Sequence, residues 1–366
     1  MDIHTKLSYE KEIRNLGGFV MVQAAVFHGP GKKLSVEQVP EPAAGDGHVV
    51  LKVHSCGVCG SDLHATQEGA FLQEQGTILG HEFAGEVIAS DDPAVPVGLR
   101  ATAVPVNACD TCRDMGFGSC RNGLGILCPE NRITGLAKSV PGAYAQAVRV
   151  GAEQVVALPE GVSYDEGALV EPLAVGLHAV DRADIPLGGR VLILGAGPIG
   201  LSVLAFARLR GAGSVVVSEY APARRDAAAA FGADLVIDPA RTEDIGGAFA
   251  DAAGAPPDVI FDCVGVPGII QQAIDLSRPQ GTIVLVGVCM KPDEIIPISA
   301  TLKELRLQFV LGYKDADFAR VLAMMGRGLI DAKAMITDHT DLAGLPETFE
   351  ALRKPGGQIK LMIHPT

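Results

Sequence analysis

The run Gly195-Ala196-Gly197-Pro198-Ile199-Gly200 constrains this chain more than any other stretch. It follows a short apolar segment, Val191–Leu194, that reads as a buried strand, and it precedes Leu201–Arg210, which reads as a helix. A glycine-rich turn in that setting does three things. The first glycine makes the turn, the second lets backbone approach a pyrophosphate, and the third lets helix and strand pack closely. Pro198 and Ile199 open the helix, whose N-terminus faces the phosphate charge. The apolar run Val191–Ala207 spans 17 residues, short of the about 20 that a membrane span needs. The glycines and proline inside it favour strand, turn and helix instead.

The rhythm continues downstream. Strands are expected at Ser214–Ser218, Leu235–Ile237, Val259–Phe261 and Thr282–Val286, with helices at Ala221–Phe231 and near 243–252 and 268–276. Alternation of this kind builds parallel βαβ units and a doubly wound sheet, an α/β fold. Residues 22–160 differ: short strand-like stretches such as Val49–Val53 and Ala147–Val150 are broken by Gly and Pro, as in an irregular β-rich domain. Residues 312–366 return to mixed elements. The division expected is an N-terminal extension over 1–20, a β-rich domain over 21–174 and 312–366, and a dinucleotide-binding domain over 175–311. Residues 1–20 mix charges and lack the apolar core of a signal peptide.

Glu219 ends the second strand of the α/β region, 19 positions after Gly200. An acidic group there binds both ribose hydroxyls of NAD and repels the 2′-phosphate of NADP. Arg224 and Arg225 lie just beyond and oppose that preference.

Six of the 8 cysteines fall between Cys56 and Cys128. In a long chain such a local cluster reads as metal ligation in a reducing compartment, and a cytoplasmic location is expected. Cys59, His81, Glu82 and Glu171 are candidate ligands. A thiolate, an imidazole and a carboxylate suit a catalytic zinc, which keeps one position for water or substrate. The net charge of −13 disfavours nucleic acid and anionic membranes as partners and leaves a small molecule.

Four segments occur in order: Cys59-Gly60-Ser61-Asp62, Gly80-His81-Glu82, Glu171-Pro172-Leu173-Ala174-Val175 and Gly195–Gly200. From about residue 22 onward the chain resembles the zinc-containing medium-chain dehydrogenases. The Glu-Pro pair makes it most similar to their sorbitol, butanediol and threonine dehydrogenase branch. The resemblance implies a GroES-like catalytic domain joined to a Rossmann coenzyme domain, with Zn2+ and NAD as cofactors. It implies hydride transfer between NAD and a secondary alcohol, diol or polyol and the corresponding ketone. Cys59 and His81 are then zinc ligands, and Glu171 or Glu82 is the third. Asp62 orients His81, Ser61 takes the substrate proton, and His64 continues the relay to solvent. Val264, Gly287 and Val288 join the glycine turn, Glu219 and Arg224 in lining the coenzyme. Relatives pair near Gly287–Ser299, which implies a homotetramer or dimer.

Cys109, Cys112, Cys120 and Cys128 supply four thiolates, enough for a closed structural zinc. The resemblance predicts equal two-residue gaps among the first three, but seven residues, Arg113–Ser119, separate the second from the third and Met115 stands at the usual third position. A five-residue insertion accounts for this. Competing readings are a zinc-free reductase or a non-catalytic coenzyme binder of the same superfamily, both opposed by the ligand set, and a zinc-ribbon nucleic-acid binder, opposed by the charge.

Overall fold

The computed structural model describes residues 20–115, 118–354 and 356–365, so the expected extension lies, save Val20, outside the described residues. Six strands form one fully parallel sheet in the order Leu235–Ile237, Ser214–Ser218, Arg190–Leu194, Val259–Asp262, Thr282–Leu285, Arg306–Phe309. Chain direction along the sheet reverses between Arg190–Leu194 and Val259–Asp262, the switch point at which doubly wound sheets bind ligands. Helices Pro198–Leu209, Pro222–Ala230, Ile245–Ala253 and Ile269–Leu276 connect the strands. The edge strand Arg306–Phe309 and the helix Pro297–Leu302 were not expected. That strand is only part-buried and its sequence, Arg-Leu-Gln-Phe, carries no apolar run.

Asp258 pins the base of this sheet. One carboxylate oxygen accepts from Arg190 N and Nε, both at 2.9 Å, and the other from Arg190 Nη2 at 2.8 Å and Arg278 Nε at 2.6 Å. Arg190 holds this carboxyl well below its ordinary range. Its charge therefore stabilises the fold above the unfolded carboxylate pKa, about 4, and that contribution fades as pH falls toward the native value. Asp258→Asn is expected to cost about 2–3 kcal/mol at neutral pH, measured by urea unfolding, with the gap to the unmodified protein narrowing below about pH 4.

A second sheet is built on the long strand His48–Gly57. Glu82–Ser90 and Lys360–His364 flank it antiparallel, with Arg100–Ala103 and Val155–Ala157 beyond the first and Ile336–Asp341 beyond the second. Ala147–Gly151 also pairs with it. Residues from both ends of the chain thus share one sheet. The helix Val170–Asp181 ties this part to the parallel sheet by crossing helix Pro198–Leu209. The crossing is close at Gly176, where a Cβ would meet Ser202 Cβ at 2.4 Å. One buried cluster runs through both, from Ala84 through Leu173 to Leu201 and Val217.

Candidate metal centre and coenzyme cleft

Strand register assembles the first cluster. Gly57 pairs with Glu82 at the ends of His48–Gly57 and Glu82–Ser90, so Cys59, just past one strand, meets His81, just before the other. At Gly57 a Cβ would sit 2.2 Å from Glu82 Oε2, so any larger residue would displace that carboxylate. Cys59 then starts the short helix Gly60–Ala65, whose first turn holds Ser61 and Asp62. The ligand atoms of Cys59, His81 and Glu82 lie within 4.8 Å of one another.

His81 is buried and its two nitrogens face different partners. Nδ1 faces Asp62 Oδ1 at 3.3 Å, as an ion-pair contact and not a hydrogen bond. Nε2 lies 3.2 Å from Ser61 Oγ. Asp62 is itself fixed through its other oxygen, which accepts from Tyr144 Oη at 2.7 Å and from Cys59 N at 3.0 Å. Burial opposes both charges, yet the Asp62 carboxylate raises the His81 imidazole well above its ordinary value. His64 is exposed in the last turn of the helix.

Glu171 stands beside this cluster rather than within it. Burial raises its carboxyl to about 7, and Tyr313 hydrogen-bonds to it. The four ligand candidates are therefore split: three converge, and Glu171 lies beside them near Tyr313. Sequence reasoning missed Tyr313, Tyr144 and, above all, Lys360. The Lys360 ammonium is buried and donates to both Glu82 oxygens, at 2.8 and 2.6 Å, and to Val58 O at 3.0 Å. Glu82 is thereby a buried carboxylate with a fixed counter-charge.

The four cysteines of the lobe also converge. Cys128 and Cys109 sulfurs are 3.5 Å apart, and the Cys112–Cys128 and Cys120–Cys109 pairs are each 3.9 Å. Four thiolates around zinc at about 2.3 Å would have edges of about 3.8 Å. Gly118 lies close against this cluster, with φ of +113° and Cys112 Sγ 2.6 Å from where its Cβ would be. All 8 cysteines are free thiols.

At the switch point, Gly195 takes φ of +93°, and a Cβ on Gly200 would lie 2.0 Å from Gly195 O. Helix and turn therefore touch backbone to backbone. Gly200→Ala is expected to cost about 1–3 kcal/mol and to weaken coenzyme binding, read by thermal unfolding and by NADH fluorescence titration. Gly197 precedes the helix, Pro198 and Ile199 form its first turn, and the Arg224 guanidinium lies 3.8 Å from where a Gly197 Cβ would be. Arg224 also donates to Gln358 O. Glu219 accepts from Ala196 N and Ala221 N, both at 2.8 Å, so it braces the glycine turn. Arg225 is engaged with Asp238 at 3.1 Å. Val264 and Val288 are exposed on neighbouring loops, where Gly287 meets Gly265 so closely that a Cβ would lie 2.2 Å from Gly265 N.

Two family models match this chain: "Alcohol dehydrogenase GroES-like domain" over residues 45–160 and "Zinc-binding dehydrogenase" over residues 198–327. The chain is 33% identical to a (R,R)-butanediol dehydrogenase of Bacillus subtilis (strain 168), covering 94% of this chain and 100% of the relative. The chain belongs to the zinc-containing medium-chain alcohol dehydrogenases. A sorbitol dehydrogenase of the same strain is 30% identical over 94% of this chain and 97% of its own length. The solved structure of a zinc-binding dehydrogenase from Sinorhizobium meliloti 1021 bound to NADP superposes with a TM-score of 0.86 at 30% identity, covering 94% of this chain and 100% of that one.

This member of the zinc-containing dehydrogenases is thus an oxidoreductase acting on CH–OH donors, with a GroES-like part and a Rossmann part. Both donor sets fit zinc: thiol, imidazole and carboxylate at the first, four thiols at tetrahedral spacing at the second. Among the described residues no helix is long and apolar enough to cross a membrane.

Proposed function

We propose that this protein oxidises a vicinal diol, polyol or related secondary alcohol to the ketone with NAD, and catalyses the reverse reaction. The observation that carries this reading is the convergence of Cys59, His81 and Glu82 with the Ser61 hydroxyl 3.2 Å from His81 Nε2. Names of the relatives, butanediol and sorbitol dehydrogenase, support the substrate class. When bound, zinc supplies Lewis acidity to the substrate hydroxyl and NAD accepts the hydride.

The chain's own residues do the rest. Cys59 and His81 would hold the metal, and Glu82 or Glu171 would complete the set. Asp62, anchored by Tyr144, would hold the ring through Nδ1 and leave Nε2 on the Ser61 side, free to bind a metal. Ser61 Oγ takes the proton of the substrate hydroxyl while releasing its own outward, and exposed His64 passes that proton to solvent. Gly195, Gly197 and Gly200 cradle the pyrophosphate, with Arg224 beside it. Glu219 meets the adenosine ribose, and Val264, Gly287 and Val288 line the nicotinamide side. Cys109, Cys112, Cys120 and Cys128 hold a structural zinc, so Cys120→Ser is expected to lose about one zinc per chain, counted by metal analysis.

The free cysteines support a cytoplasmic location. An unpaired sheet edge, Arg306–Phe309, and exposed Ile296, Ile298, Leu302 and Phe309 support self-association into a dimer or tetramer. Residues 21–174 with 312–366 form the catalytic domain in this reading, and 175–311 the coenzyme domain. The test is NADH formation from NAD with a panel of secondary alcohols, vicinal diols, polyols and threonine. Turnover on diols or polyols is expected; none on any of them would sink the assignment, and a strong NADP preference would sink the role of Glu219.

A further inference from the structure

A second set of histidines and a carboxylate converges away from the catalytic cluster. Asp165 sits in the helix Tyr164–Ala168, His339 in the strand Ile336–Asp341, and His364 ends the strand Lys360–His364. Those two strands are parallel neighbours, with Asp341 paired to His364 and His339 to Met362. His364 Nε2 lies 2.8 Å from one Asp165 oxygen and His339 Nε2 3.2 Å from the other. Ser55 Oγ donates to Asp165 Oδ1 at 2.6 Å.

The plain alternative is a carboxylate shared by two histidine hydrogen bonds. Three features go further. Both rings present the same nitrogen, Nε2, and among the described residues neither ring makes another hydrogen bond. The ring centroids are only 4.9 Å apart, so two imidazolium charges would repel across a single carboxylate. Donors around a tetrahedral metal at about 2.0–2.1 Å are about 3.3 Å apart, and one donor atom from each of Asp165, His339 and His364 lies within 4.8 Å of the other two. The side chains of Asp165, His339 and His364 are 25, 48 and 42% exposed, which leaves an entry path and open positions for water.

We propose that Asp165, His339 and His364 form a surface site for a divalent transition metal, zinc or a similar imidazole-binding ion, distinct from both cysteine-containing clusters. Two neutral imidazoles and a carboxylate select such ions over calcium or magnesium. The Ser55 hydroxyl fixes the carboxylate from outside, as outer partners of metal ligands do. Bound metal joins three segments distant in sequence. One of them begins with Lys360, the counter-charge of Glu82, and another leads into the helix that carries Glu171. The site therefore staples the frame beneath the catalytic cluster without touching it.

The test is calorimetric titration of tag-free, zinc-loaded protein with further Zn2+, compared with His339→Asn, His364→Asn and Asp165→Asn. One additional equivalent per chain is expected, with a rise in Tm. Outer partners of a metal ligand are alone worth about 10–100-fold in affinity, so each substitution should weaken this equivalent at least tenfold while zinc bound beforehand and turnover stay unchanged. No additional equivalent, or one that all three variants keep at full affinity, overturns the proposal. Neither outcome bears on the catalytic reading, whose own readout is NADH formation.

Discussion

Ser61→Ala is expected to lower kcat by about 100- to 10,000-fold while zinc content and NADH affinity stay as they were. The hydroxyl lies 3.2 Å from His81 Nε2, the ring nitrogen other than the one that faces Asp62. A substrate hydroxyl held beside His81 Nε2 would lie within reach of Ser61 Oγ. Its proton needs an exit, and the same helix carries His64 to the surface within one turn. Ser61→Thr keeps the hydroxyl and should retain most activity. Steady-state kinetics of the two variants, with metal analysis alongside, decide the matter. An alanine variant with undiminished kcat would remove Ser61 from the proton path.

Lys360→Met is expected to destabilise the protein by about 3–5 kcal/mol. The lysine is 2% exposed and Glu82 is 1% exposed. Their pairing is bidentate, and a third ammonium bond goes to Val58 O. Removing the cation leaves a buried carboxylate with no counter-charge, a far larger penalty than the loss of the pair itself. The double variant Glu82→Gln/Lys360→Met should therefore be more stable than Lys360→Met alone. Urea unfolding of both variants gives the comparison. Equal stabilities would mean that Glu82 finds another partner in the folded protein.

These two residues show what the sequence could and could not disclose. Ser61 is legible because it lies inside Cys59–Asp62, a local pattern with its partners one turn away. The meeting of Cys59 with His81 depends on the register of His48–Gly57 against Glu82–Ser90, and of these only Val49–Val53 reads as a strand in the sequence. The parallel sheet was likewise legible, since five of its strands are short β-branched runs, and its edge strand Arg306–Phe309 was hidden by its mixed polarity. Lys360 sits in Lys-Leu-Met-Ile-His, an unremarkable strand, and only sheet pairing with His48–Gly57 carries it beneath Glu82. Tyr144 is equally silent in sequence. Its burial against Gly80, where a Cβ would meet its ring at 2.5 Å, is a matter of tertiary packing. The cysteine lobe departs from regular spacing, and the convergence of its four sulfurs is not encoded in any count of residues.

The central claim is that Cys59, His81 and a neighbouring glutamate hold the zinc that makes alcohol oxidation possible. Its most direct measurement is NAD-linked oxidation of a vicinal diol by protein stripped of metal with a chelator, assayed before and after zinc is restored. Activity should vanish with the metal and return as zinc is added back, whereas His81→Ala protein treated the same way should stay inactive. Undiminished turnover by protein shown to be zinc-free would contradict the account.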